Sequence, residues 1–179
     1  MDAFVSQALP SWQNYYIVVG PAAAALIGIQ FVVITLVASQ RRSVPADALR
    51  AFASPTVAHL ATALAVSALM CIPWATLAHA SLALIVCGLA GLAYGVGIIK
   101  RSKRQDYYAP DCGDRFWYML LPCGLNAALL ASALALLAGS EWALLAIGGV
   151  ALGLLLVGIH NAWDTVTHIV TSLGHGTDK

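Results

Sequence analysis

The chain has 179 residues, 60% of them hydrophobic and only 9% charged, with a mean hydropathy of +0.82 and a formal net charge of +1. A soluble domain carries about 25% charged residues, so this chain cannot cover a water-facing surface with polar groups. Its nine basic residues are too few and too local for a nucleic-acid face.

The N-terminal stretch MDAFVSQALPSWQNYY has no basic n-region and does not read as a cleaved signal peptide. Residues 1–14 are expected to form a short interfacial helix, with Pro10-Ser11 as its break or as the start of the first span. An apolar helix needs about 20 residues to cross the hydrocarbon, and five segments qualify. The first runs from about Tyr15 to Ala38 and places Gln30 in its second half. Arg41, Arg42 and Arg50 follow. The second span runs from about Val57 to Leu77. Pro55 stiffens its start, Thr56 is a candidate N-cap, and His59 falls in its first turn. A tight hairpin carrying His79 leads to the third span, about Ala80 to Ile99.

The segment Lys100-Arg101-Ser102-Lys103-Arg104 comes next, and Asp111 or Asp114 is placed to cap the fourth span, Phe116 to Ala138. Within that span Pro122 is expected to disturb the helix and free a carbonyl, and Asn126 lies about 9 residues in. The fifth span covers Trp142 to about Asn161, with a polar helical extension to about residue 172. Nothing breaks the helix before Gly174. The expected class is therefore an all-α integral membrane protein, a bundle of five transmembrane helices forming one membrane domain over residues 1–179. Lipid tolerates no open sheet edge, and these runs are too long for barrel strands.

All nine Lys and Arg residues fall on one side of this arrangement. The positive-inside rule makes that side cytoplasmic, leaving the N-terminus outside and the C-terminus inside a bacterial-type inner membrane. Trp12, Tyr15, Tyr16, Trp74 and Trp142 fall near the outer interface; Tyr107, Tyr108, Trp117, Tyr118 and Trp163 fall near the inner one. Gly20, Ala24 and Gly28, then Gly88, Gly91 and Gly95, then Gly149 and Gly153 recur at intervals that let helix backbones approach closely. Cys71, Cys87 and Cys123 read as small packing residues. No CxxC pair, HExxH motif, phosphate loop, nucleophile elbow or nucleotide fingerprint is present.

Chemistry concentrates on the last helix. Gly149, Gly153, His160, Asp164, His168 and Thr171 align at steps of three and four, so a glycine face pressed on its neighbours would carry His160 and Asp164 toward protein. His59, Asn126 and Gln30 come from other helices toward the same region. An ionisable group at membrane depth marks a functional site by default. The leading expectation is passage of a proton, ion or small solute, with His160, Asp164, His168 and His59 at the cytoplasmic mouth and Gln30 and Asn126 continuing inward. Five helices offer little material for a private pore, so a homo-oligomer is expected.

A metal-binding membrane enzyme is the alternative, with zinc or iron held by His59, His160, Asp164 and His168. A further alternative is an accessory subunit, in which the cluster helps dock a partner protein; in a purely structural reading Asp164, His160 and Asn161 tie helix ends together. Anionic lipid is expected to gather at Lys100, Arg101, Lys103 and Arg104.

Overall fold

The computed structural model describes residues 2–39, 54–102 and 112–174. The elements are α1 (Asp2–Ser39), α2 (Ser54–Cys71), α3 (Leu77–Ser102), α4 (Cys112–Arg115), a π-helical turn (Phe116–Leu120), α5 (Leu121–Leu137) and α6 (Trp142–Gly174). The described residues contain no strand. Five stretches are long and apolar enough to cross a membrane: Pro10–Thr35, Ser54–Cys71, Leu77–Lys100, Phe116–Leu137 and Trp142–Thr167. The protein is an all-α, multi-span membrane bundle. Arg41, Arg42, Arg50, Lys103, Arg104, Tyr107, Tyr108, Asp111, His175 and Lys179 lie outside the described residues, as do the side chains of Arg101, Asp114 and His168. Lys100 and Arg115 are exposed at one end of the bundle, called here the basic end.

The helix limits differ from the sequence expectation where local chemistry moves them. The N-terminal segment does not break at Pro10-Ser11: α1 runs unbroken through Pro10 and Pro21. A membrane helix tolerates such prolines when its surroundings re-satisfy the freed carbonyls. The second span stops at Cys71 rather than near Leu77, because Pro73 follows and the Leu69 carbonyl accepts the Trp74 indole N–H at 2.7 Å. The third starts early, at Leu77, where the Thr76 hydroxyl meets His79 Nδ1 at 2.8 Å across the first turn. Thr56 is not the N-cap of α2, which already begins at Ser54; it sits fully buried in the first turn.

The turn between α5 and α6 is tight because a glycine in the left-handed region closes the end of α5. Gly139 takes φ 82°, its N–H reaches the Leu136 carbonyl, and the Ser140 N–H reaches Ala135. These two bonds form a Schellman motif, whose left-handed residue favours glycine.

Close approaches at glycine fix the register between helices. Gly20 of α1 faces Ser67 of α2, Gly158 of α6 lies under Leu60 of α2, and Gly153 of α6 faces Leu125 of α5. Gly88, Gly91 and Gly95 of α3 face Leu130, Asn126 and Cys123 of α5. α6 lies against both α2 and α5, while α3 packs chiefly on α5 and α1 on α2. The core between them is made of fully buried Tyr16, Leu60, Leu84, Leu129, Leu136, Ile147 and Leu154. Ile17, Val18, Phe31, Leu82, Val86 and Leu89 point outward, as lipid-facing side chains do.

Candidate functional site

The fourth span begins with a widened turn. In the π register the Leu121 N–H bonds to the Phe116 carbonyl, five residues back. The Trp117 carbonyl then has no helical partner: Leu121 is engaged, and the next residue, Pro122, has no N–H. The Asn161 Nδ2 of α6 donates to that carbonyl at 3.4 Å. The carbonyl freed near Pro122 thus becomes a docking point between helices. π-turns inside helices often mark functional positions.

Tyr118, on the same turn, is buried and reaches α6 through its hydroxyl. The Asp164 carboxylate oxygen Oδ2 lies 3.1 Å away, the Asn161 carbonyl 3.2 Å and Thr165 Oγ1 3.4 Å. One O–H has one proton to donate, and the carboxylate oxygen is the strongest acceptor of the three. Thr165 donates its own hydroxyl to the Asn161 carbonyl at 2.8 Å. The end of α6 is therefore tied to the π-turn by Tyr118 and Asn161.

His160 and Asp164 are both exposed, so the face they share is not the buried face of α6. The buried edge runs through Ile147, Ala151, Leu154, Val157 and Asn161 instead. Gly149, expected to press on a neighbour, has open space where a Cβ would stand. The larger side chains Ile147, Leu154 and Val157 bury more apolar area than glycine can, and their spacing turns the helix about its axis. His160 stacks on the exposed side of the bundle against Trp117, with ring centroids 3.8 Å apart and planes at 25°. The backbone at His168 is helical.

A second group of polar side chains lies deeper. Gln30, Thr56, His59 and Asn161 are all buried, at 4%, 1%, 4% and 0% exposure. Register places them at one level. Gln30 is ten residues beyond Gly20, and Val57 is ten before Ser67, the residue facing Gly20. Asn161 is three residues beyond Gly158, and Val57 is three before Leu60, the residue over Gly158. At 1.5 Å per residue both offsets lead to the same depth on α2. The His59 Nε2 and Asn161 Oδ1 atoms are buried there without a hydrogen-bond partner among the described residues.

Asn126 does not join this layer. Its neighbour Leu125 faces Gly153, eight residues before Asn161, so Asn126 lies about 12 Å deeper in the bundle. There its Nδ2 donates to the Pro122 carbonyl at 2.9 Å, and its carboxamide packs on Gly91.

Of the residues singled out from sequence, His59 and Gln30 share a level with the Asn161 end of the tie, and Asp164 holds Tyr118. His160 stacks on Trp117, apart from the buried face. Among the described residues no group of three or more His, Cys, Asp or Glu side chains is gathered as metal ligands would be. Sequence reasoning read Tyr118 only as an interfacial aromatic. The signal for its role was the orphaned Trp117 carbonyl upstream of Pro122. Asn161 falls in step with Leu154 and Val157, which marked it as inward-facing. No protein-family model, curated protein or solved structure matches this chain.

Proposed function

We propose that this membrane bundle passes a proton, ion or small solute, with the layer formed by His59, Thr56, Gln30 and Asn161 at its cytoplasmic mouth. In this reading the basic end faces the cytoplasm of a bacterial-type cell, the N-terminus faces outward, and anionic lipid gathers at Lys100, Arg101, Lys103 and Arg104. One observation supports it above the others: the imidazole of His59 is buried at the basic end, and its Nε2 has no partner among the described residues. Burying such a group without a partner opposes stability, so its presence is best explained by use. Imidazole is also the side chain best suited to exchange a proton near neutral pH.

Beyond the layer the core closes. Leu60, Leu154, Ile147 and Ala63 are fully buried and fill the seam between α2 and α6. A route past His59 would have to displace them, so passage requires the seam between α2 and α6 to open within an assembly of copies. The outward apolar faces of α1 and α3 supply surface for that assembly.

The test is flux in proteoliposomes under an imposed pH or ion gradient. Wild-type protein should dissipate the gradient, and His59→Leu should abolish that activity while the protein stays folded. Equal flux in the two would remove His59 from the mechanism, and no flux for protons or common ions would remove the proton and ion readings. The tie from Tyr118 to Asp164 favours a second reading, in which the polar end only holds the bundle together for a partner subunit. That reading expects a stable co-purifying protein and no flux.

A further inference from the structure

Five buried side-chain atoms lack a hydrogen-bond partner among the described residues: Tyr16 Oη, His59 Nε2, Ser81 Oγ, Asn126 Oδ1 and Asn161 Oδ1. Three of them stand alone at their depths. Asn126 Oδ1 is pressed against Gly91, far from the other four. Tyr16 and Ser81 lie toward the other end of the bundle, on α1 and α3, which share few contacts. Only His59 and Asn161 fall within about 3 Å of one level, on the facing helices α2 and α6: the seating of Leu60 on Gly158 sets Asn161 opposite Val57, two residues from His59.

Their chemistry is complementary to one kind of guest. Asn161 Oδ1 only accepts, because its Nδ2 is committed to the Trp117 carbonyl and fixes the orientation of the amide. His59 Nε2 accepts or donates according to its tautomer. An anion would meet the Asn161 oxygen unfavourably. A multivalent cation would need carboxylates, and the buried layer holds none. A single molecule that donates one hydrogen to Asn161 and exchanges a second bond with His59 satisfies both atoms. We propose that His59 Nε2 and Asn161 Oδ1 are the two ends of an internal site for one small hydrogen-bonding molecule, water being the reference guest. Buried waters commonly serve polar groups that the protein leaves unserved. The Tyr118 hydroxyl, held by Asp164 and the Asn161 carbonyl, closes the site on the side of the basic end.

This site deepens the transport reading by naming what stands at the mouth, yet its test measures no flux, so the two ideas can fail separately. The unfolding constant of the full chain is measured in bicelles for wild type, His59→Leu, Asn161→Leu and the double variant. Asn161→Leu also breaks the Trp117 bond, so the cycle decides rather than either single value. With a shared guest, the two single effects are coupled, and the double variant unfolds roughly tenfold less readily than their product predicts. A dry layer gives a double variant equal to that product, and His59→Leu then unfolds no more readily than wild type. X-ray hydroxyl-radical labelling in bilayers supplies a second readout if a variant fails to fold. Oxidation of His59 in wild-type protein supports the site, because the radicals arise from adjacent bound water. An unoxidised His59, or a multiplicative cycle, overturns it.

Discussion

Gly91→Ala tests how the third and fourth spans are held together. A Cβ at position 91 would overlap the Asn126 carboxamide, standing 2.5 Å from its Cγ and 3.1 Å from its Nδ2. The side chain of Asn126 is not a loose end that can swing away, since it is buried and donates to the Pro122 carbonyl at 2.9 Å. Nor can the helices part locally. The neighbouring Gly88 has the Leu130 backbone 3.1 Å from where its own Cβ would be, and Gly95 has Cys123 Sγ at 2.6 Å. Two costs follow. Expelling the carboxamide loses a hydrogen bond of about 1 kcal/mol, and overpacking a close seam costs about 1–3 kcal/mol.

The expected destabilisation is about 2–4 kcal/mol, read as the change in unfolding free energy in bicelles or by denaturant titration in detergent. Asn126→Ala removes the obstacle. The double variant should therefore be more stable than the sum of the single effects by at least about 1 kcal/mol. A Gly91→Ala protein within about 0.5 kcal/mol of wild type, or strictly additive effects, would refute the contact as drawn.

The same logic applies elsewhere. Gly158→Ala should destabilise by about 1–3 kcal/mol, because its Cβ would collide with Leu60, and Leu60→Ala should relieve much of that effect in a thermal-unfolding series. Tyr118→Phe removes the hydroxyl from three acceptors and should cost about 1.5–3 kcal/mol if the Asp164 bond is the one made, measured by the same unfolding assay.

The architecture was legible in the sequence because the signals for it are redundant. Five long apolar runs, separated by charged segments or tight hairpins, leave one class of structure. The helix limits were less legible. The end of α2 depends on an indole N–H reaching back to Leu69, a bond between a loop residue and a carbonyl that no hydropathy pattern encodes. The candidate site was legible in its residues more than in its geometry. The glycine periodicity of the last helix suggested that Gly149, His160 and Asp164 face inward. The large apolar residues share almost the same period, offset by part of a turn, and they decide which side is buried. Asn161, one residue from His160, therefore takes the central place. The orphaned Trp117 carbonyl arises from a π-turn and a proline acting together, and sequence gives only the proline.

Within the proposed transport reading, that offset moves the functional weight from the carboxylate to the imidazole. Asp164 is exposed and accepts a hydrogen bond from Tyr118, so its charge loses little solvation and gains a partner. Such a residue is inexpensive to keep and is explained by holding the end of α6 to the π-turn. His59 is in the opposite position: it is buried, and one ring nitrogen has no hydrogen-bond partner among the described residues. Replacing it with Leu would give a side chain that is at home in the surrounding core. Without a bound guest, a bundle selected only for stability would favour that replacement, whereas it would retain Asp164 for its bond. In the proposed transport reading, the difference assigns the handling of a solute to the buried layer and leaves Asp164 and Tyr118 to hold the end of α6.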